Sequence, residues 1–122
     1  MPKRIILAED DEIARECYTD NLREFLKLDV DGVPNGEELV ERVRTNKYNL
    51  VITDNNMGNG ISGLEAIANI RQFNSTIPVF MLSGDDVKTL ALKAGATGYI
   101  DKWELAKFGI EVVIISEIKP YL

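Results

Sequence analysis

At 122 residues, 45% hydrophobic and 28% charged, the chain has the size and composition of one soluble domain with a real core, which excludes a disordered or low-complexity protein. Fourteen Lys and Arg against 20 Asp and Glu leave a net charge of -6, opposite to the field that attracts phosphate backbones or anionic lipid, so no direct binding of nucleic acid or membrane is expected. Histidine is absent and Cys17 stands alone, which removes Ser-His-Asp and Cys-His nucleophiles, histidine zinc sites and any internal disulfide.

Short β-branched runs alternate with segments of helical period along the whole chain. Ile5 to Ala8 reads as a first strand, cut off by acids at Glu9. Ile13, Cys17, Leu22 and Phe25 or Leu26 recur at near-helical spacing and predict a helix from Glu12 to about Leu26, with Cys17 a small core residue. Val30 to Val33 is a weak strand. The turn Pro34-Asn35-Gly36 leads into a helix over Glu37 to Arg44 that buries Leu39, Val40 and Val43 and leaves Glu37, Glu38 and Glu41 on a solvated face. Tyr48 to Thr53 reads as a buried strand ending at Asp54. After a Gly- and Asn-rich loop, Leu64, Ile67, Ala68 and Ile70 or Arg71 mark a third helix that stops before Ile77-Pro78. Val79 to Leu82 forms a fourth strand, with Pro78 at its first position and Phe80 and Met81 in the core. Val87 to Ala94 is a short helix stopped by Gly95, and Tyr99 and Ile100 form a fifth strand. One last helix runs from Trp103 to about Ile118, with Ala106, Ile110, Val113, Ile114 and Glu117 or Ile118 inward; Trp103 is expected to pack at its start, the alternative being an exposed indole that serves a partner. No run approaches the ~18 apolar residues of a membrane span and no signal-peptide pattern opens the chain, so the cytoplasm is the expected compartment.

Alternating strand and helix implies an α/β protein, a parallel sheet of about five strands with helices on both faces, whose ligands bind outside the carboxyl ends of the strands. Those ends are unusual here: Glu9-Asp10-Asp11 follow the first strand, Asp54 the third, Ser83 the fourth and Lys102 the fifth. Carboxylates brought close together do not all stay ionised cheaply. A divalent cation resolves the conflict, and an all-oxygen site suits Mg2+, which also brings phosphate oxygens into its shell. Asp11 and Glu12 read instead as the cap and first turn of the following helix.

The segments Ile5-Ile6-Leu7-Ala8-Glu9-Asp10-Asp11-Glu12, Leu50-Val51-Ile52-Thr53-Asp54-Asn55-Asn56-Met57, Pro78-Val79-Phe80-Met81-Leu82-Ser83-Gly84 and Gly95-Ala96-Thr97-Gly98-Tyr99-Ile100-Asp101-Lys102 come in that order. In this the chain resembles the receiver domain of two-component response regulators over essentially its whole length, as a single receiver domain covering residues 1–122. The resemblance implies a flavodoxin-like, doubly wound sheet of order 2-1-3-4-5. It implies Asp54 as phosphoacceptor, Mg2+ held by Glu9, Asp10, Asp54 and the main-chain carbonyl of Asn56, and phosphoryl contacts from Ser83 and Lys102. The donor is then a histidine on a sensor kinase or a histidine phosphotransfer protein, and the output passes to a downstream protein or to an output domain outside this chain. Ser83 and Tyr99 would be the switch pair, acting on a face of the fourth helix, fifth strand and fifth helix, with Gly84 easing the movement. Such a domain catalyses its own phosphorylation and dephosphorylation and serves as a signalling switch.

Two positions depart from the family pattern, which usually carries proline where Gly58 and Trp103 stand. Without that second proline the bond after Lys102 is expected to be trans, since cis costs ~2.5–4 kcal/mol before a residue other than proline. The Gly58-Asn59-Gly60-Ile61-Ser62-Gly63 loop is also one residue longer than usual and is expected to be more mobile, at some cost in metal affinity. It spells G-x-G-x-x-G with Asp85 downstream, so a dinucleotide-binding domain is a rival reading, although the glycines do not follow the first strand. A Mg2+-dependent phosphatase would want a second acid two residues after Asp54, where Asn56 stands. A receiver-like module that takes no phosphate is the last alternative.

Overall fold

β-Branched and apolar residues fill the three central strands of the sheet, because both faces are covered there, whereas the two edge strands carry acids and glycines. The computed structural model describes residues 2–122. Its elements, in chain order, are β1 (Arg4–Ala8), α1 (Glu12–Leu26), β2 (Asp29–Val33), α2 (Gly36–Thr45), β3 (Leu50–Thr53), α3 (Gly63–Phe73), β4 (Val79–Ser83), α4 (Lys88–Ala94), β5 (Gly98–Asp101), α5 (Lys102–Phe108) and α6 (Ile110–Val113). All strand pairs are parallel, in the order β2-β1-β3-β4-β5. The two-residue period of the pleat then sorts the core into two layers. Ile5, Leu7, Leu50, Ile52, Phe80 and Ile100 pack toward Leu22 of α1 and toward Val113, Ile114 and Ile118. Ile6, Ala8, Val51, Val79 and Met81 pack toward Leu39 and Val43 of α2, Ile67 and Ile70 of α3 and Ala91 of α4.

Polar side chains stop and start the helices where the sequence offers them. The Asp11 carboxylate accepts the Ala14 amide at 2.8 Å, Asn35 accepts that of Glu38, and Ser62 with Glu65 forms a reciprocal capping box. Gly95, at φ 115°, closes α4 as expected. The peptide bonds of the described residues are all trans, including that between Lys102 and Trp103.

Several expectations need correction. On α1, Ile13 is 80% exposed and Cys17 is exposed as well. The stripe that faces the sheet carries Tyr18, Thr19, Leu22, Phe25 and Leu26, and the stems of Arg15 and Thr19 lie against Gly32 of β2, where a Cβ would meet them at 3.1 Å. On α3 it is Ala66, not Ala68, that is buried. Tyr48 lies outside β3, with its hydroxyl donating to Asp31 at 2.7 Å, and Pro78 precedes β4 with its carbonyl accepting the Val51 amide at 2.9 Å.

The last helix is not continuous. Gly109 takes φ 90° and separates α5 from α6, after which the chain winds into a π turn over Ile114–Ile118 and a 3-10 turn over Lys119–Tyr121. With the break in place Leu105 turns inward, Ala106 and Glu117 lie on the exposed side, and Trp103 is 77% exposed rather than packed.

Candidate functional site

Parallel pairing sets the carboxyl ends of β1, β3, β4 and β5 along one edge, and the residues just past those ends meet there. Glu9, Asp10 and Asp54 each offer a carboxylate oxygen within 4.8 Å of the other two. The Lys102 ammonium bridges two of them, donating to Glu9 Oε1 at 3.1 Å and to Asp54 Oδ2 at 3.0 Å. Backbone contacts hold the acids in place. The Asp54 amide donates to the Ala8 carbonyl, the Glu9 amide to the Val33 carbonyl, and Arg15 Nη1 reaches back to the Glu9 carbonyl at 2.8 Å. Asp54 Oδ1 accepts the Asn55 amide at 2.7 Å.

Burial shapes the electrostatics. Glu9 is only 3% exposed, and its carboxyl is pushed up to about 7 by burial first, then by the Asp54 charge and its hydrogen bond with Asp10, against the pull of Lys102. Burial acts on Lys102 in the opposite sense, but the hydrogen bond and charge of Asp54, followed by those of Glu9, hold its ammonium firmly protonated, above its ordinary range. The lysine is therefore a fixed cation placed on both acids.

Ser83 is fully buried at the end of β4, and its Oγ accepts the Asp85 amide at 3.0 Å. The Tyr99 hydroxyl donates to the carbonyls of Ser83 (3.3 Å) and Asp85, so the two proposed switch residues already share one loop. Asn56 is exposed two residues beyond Asp54, and Met57 next to it is anchored in the core.

The glycine-rich loop is tied down at points that sequence reading missed. Ile61 donates its amide to Glu37 of α2 at 3.0 Å, and a Cβ on Gly60, which sits at φ 110°, would meet the same carboxylate at 2.5 Å. A Cβ on Gly58, which sits at φ 75°, would lie 3.8 Å from Asp10 Oδ2. A Cβ on Gly63 would strike the Asp54 carbonyl at 2.1 Å, so its glycine seats α3 directly behind the acid. Asn55 links the two sides of the edge, accepting the Leu64 amide at 3.3 Å and donating to Asp85 at 3.4 Å. These glycines follow β3 and brace a carboxylate, which is not how a dinucleotide fingerprint is placed. The visible signal for Glu37 was the Gly58-x-Gly60 pair, which implies a shaped loop in need of an anchor.

Sheet order and site together define a flavodoxin-like α/β protein with an acidic, all-oxygen cluster at its topological switch point. The chain belongs to the response regulator receiver domain family, whose description matches residues 5–108. It is 31% identical over 105 residues to the chemotaxis protein CheY of Halobacterium salinarum, covering 84% of this chain and 86% of that one. It is 33% identical over 100 residues to the transcriptional regulatory protein ZraR of Klebsiella oxytoca, where 80% of this chain spans 22% of the relative. Among solved structures, the response regulator TrrA of Thermotoga maritima in complex with Mg(2+)-BeF superposes with a TM-score of 0.83 at 28% identity, over 98% of this chain and 99% of that one. Receiver domains bind Mg2+ at an acidic pocket and interact with histidine kinases and downstream effectors, and the three clustered carboxylates here have the donor chemistry that a hard cation needs.

Proposed function

We propose that residues 1–122 form one receiver domain that takes a phosphoryl group onto Asp54 from a histidine of a sensor kinase or a histidine phosphotransfer protein. A carboxylate oxygen of Asp54 forms the new O–P bond as the N–P bond of the donor breaks, and the donor leaves as its imidazole. The juxtaposition of Glu9, Asp10 and Asp54 beneath the Lys102 ammonium carries this reading. Lys102 stays charged across the working pH range, so it can follow the growing negative charge on the phosphoryl oxygens without a change of protonation. Glu9, Asp10, Asp54 and the main-chain carbonyl of Asn56 are the groups that would hold Mg2+. When bound, Mg2+ supplies charge neutralisation at the phosphoryl oxygens.

Ser83 is the hydroxyl that would turn toward the new phosphoryl group, releasing the Asp85 amide, and Tyr99 follows because its hydroxyl rests on the same loop. The output is then a changed partner-binding face across α4, β5 and α5. A lone, exposed Cys17 supports the cytoplasm as compartment.

Incubation with acetyl phosphate and Mg2+, followed by a Phos-tag gel, tests the reading. Wild type should shift, Asp54→Asn should not, and EDTA should abolish the shift. Undiminished labelling of Asp54→Asn would overturn the assignment. Asp10→Ala should stay folded yet lose the rise in melting temperature that Mg2+ confers on wild type.

A further inference from the structure

Beside the acidic site, the β4–α4 loop, β5 and the start of α5 enclose an open cleft of about 340 Å3. Its walls carry the carboxylates of Asp85, Asp86, Asp101 and Glu104 against the single ammonium of Lys88. None of those four acids joins an ion pair within 4.0 Å among the described residues. The rings of Tyr99 and Trp103 line the same cleft, and the indole is largely in solvent. An adjoining hollow of about 160 Å3 shares Tyr99 and Glu104 with the first and adds Phe108 and Val112, both more than half exposed.

An exposed indole among unpaired carboxylates selects for cations, since the ring face and the acids attract the same charge. Phosphate-bearing ligands and anionic lipid are repelled. A second copy would press identical acids together on a chain that already carries a net charge of -6. A purely apolar partner would bury the carboxylates without counter-ions, at a cost of several kcal/mol. We propose that this cleft docks a cationic, apolar-anchored segment of a partner protein, with an arginine over Trp103 between Asp101 and Glu104 and an apolar side chain in the hollow of Phe108 and Val112. The inference rests on the reading of α4, β5 and α5 as the partner-binding face and gives that partner its chemistry.

Trp103 is the chain's only tryptophan, so its fluorescence reports on this cleft alone. The probes are two amphipathic helical peptides, identical except that one carries arginine and the other glutamate on its polar face. The arginine peptide should perturb Trp103 and bind at least roughly tenfold more tightly than its glutamate twin, with affinity falling as salt is added. Asp101→Asn combined with Glu104→Gln should weaken it about fivefold, whereas Glu16→Gln combined with Glu24→Gln, the same charge change on exposed α1 positions, should not. Trp103→Leu, followed by calorimetry with circular dichroism to confirm folding, should weaken it similarly. Equal binding of both peptides, or equal loss in the cleft and α1 variants, would overturn the proposal, since a general negative field would then explain the attraction. Asp54→Asn should bind the arginine peptide as wild type does. Charge-selective binding with no Phos-tag shift in wild type would sink the phosphoacceptor reading alone, and a normal shift with no selectivity would sink this one alone.

Discussion

Glu9 and Asp54 sit beneath the sheet edge with one lysine donating to both, whereas Asp86 and Glu104, on the neighbouring loop and helix, line an open cleft and join no ion pair among the described residues. The side chains are chemically alike; what differs is water. Inside, desolvation and the nearby Asp54 charge set Glu9's proton affinity, so the site is held together by Lys102 and strained without it. Outside, solvent screens each charge and leaves it available to a partner. On the reading proposed above, one acidic sheet end serves as a site for chemistry in its buried half and as a surface for recognition in its open half.

Removing the cation gives the largest contrast. Lys102→Met leaves Glu9 and Asp54 facing each other uncompensated, and should cost roughly 2–4 kcal/mol in metal-free urea melts near pH 8, discounted because the lysine is partly exposed. Near about pH 5 the loss should shrink, because Glu9 can then take a proton. An equal loss at both pH values would mean that Lys102 acts through packing alone.

Wild type itself should show a pH slope of similar origin. The folded Glu9 carboxyl is raised to about 7 from an ordinary 4.5, so the unfolded chain gives up that proton first as pH rises. Its stabilising contribution is complete below 4.5 and is lost as pH climbs through about 7, a change of roughly 3 kcal/mol. The raised Lys102 adds no slope in that window, because it stays charged throughout. Metal-free protein should therefore melt higher near about pH 5 than near pH 8, Glu9→Gln should flatten the dependence, and Mg2+ should oppose it by favouring the ionised cluster. A flat wild-type profile would show that Glu9 is better solvated than its burial implies.

How far the sequence reveals this contrast depends on which interaction decides each position. β1, β3 and β4 were readable because strands covered on both faces must be apolar throughout, and the polar residues that end them, acids after β1 and β3 and Ser83 in β4, break that rule abruptly. Glu9, Asp54, Ser83 and Lys102 meet at one edge as expected, since parallel topology alone brings strand ends together. The face of α1 was misread because the Ile13–Cys17 pair leads on to Asn21 and Glu24, while Gly32 admits the stems of Arg15 and Thr19 to the buried side. Gly109 carried the same signal as Gly95, but apolar spacing on both sides suggested one helix, at the ~1 kcal/mol that an interior glycine costs. Trp103 was expected to pack at the start of the last helix, with an exposed indole as the alternative, and the register of α5 leaves it exposed. The Gly58-x-Gly60 pair implies that the loop needs an anchor, but that Glu37 supplies it is fixed by tertiary contact across 24 residues of chain.

That anchor supplies an intermediate case, an exposed acid with a backbone partner. Gly60→Ala forces a side chain into φ 110° and toward the Glu37 carboxylate, which as the end of a flexible side chain can yield, so the backbone strain of about 1–2 kcal/mol should dominate. Glu37→Gln keeps an acceptor for the Ile61 amide and should change stability by less, while Glu37→Ala should weaken Mg2+ binding in calorimetric titrations by freeing the loop beside Asp10. Unchanged Mg2+ affinity in Glu37→Ala would detach α2 from the metal site.

The smallest effects belong to the open cleft, and they test whether its acids are free to serve recognition. Asp86→Asn and Glu104→Gln remove charges that have no ion-pair partner among the described residues, so thermal melts should move by no more than about 0.5 kcal/mol, upward if local repulsion is relieved. Asp101 separates charge from hydrogen bonding at the same surface, because its carboxylate accepts the Trp103 amide at 2.8 Å and caps α5. Asp101→Asn keeps the acceptor and should be nearly neutral, whereas Asp101→Ala should cost about 1 kcal/mol through the lost cap. Losses above about 1 kcal/mol in Asp86→Asn or Glu104→Gln would show those acids engaged in the fold, and the division between a buried chemical half and an open recognition half would fail at that residue.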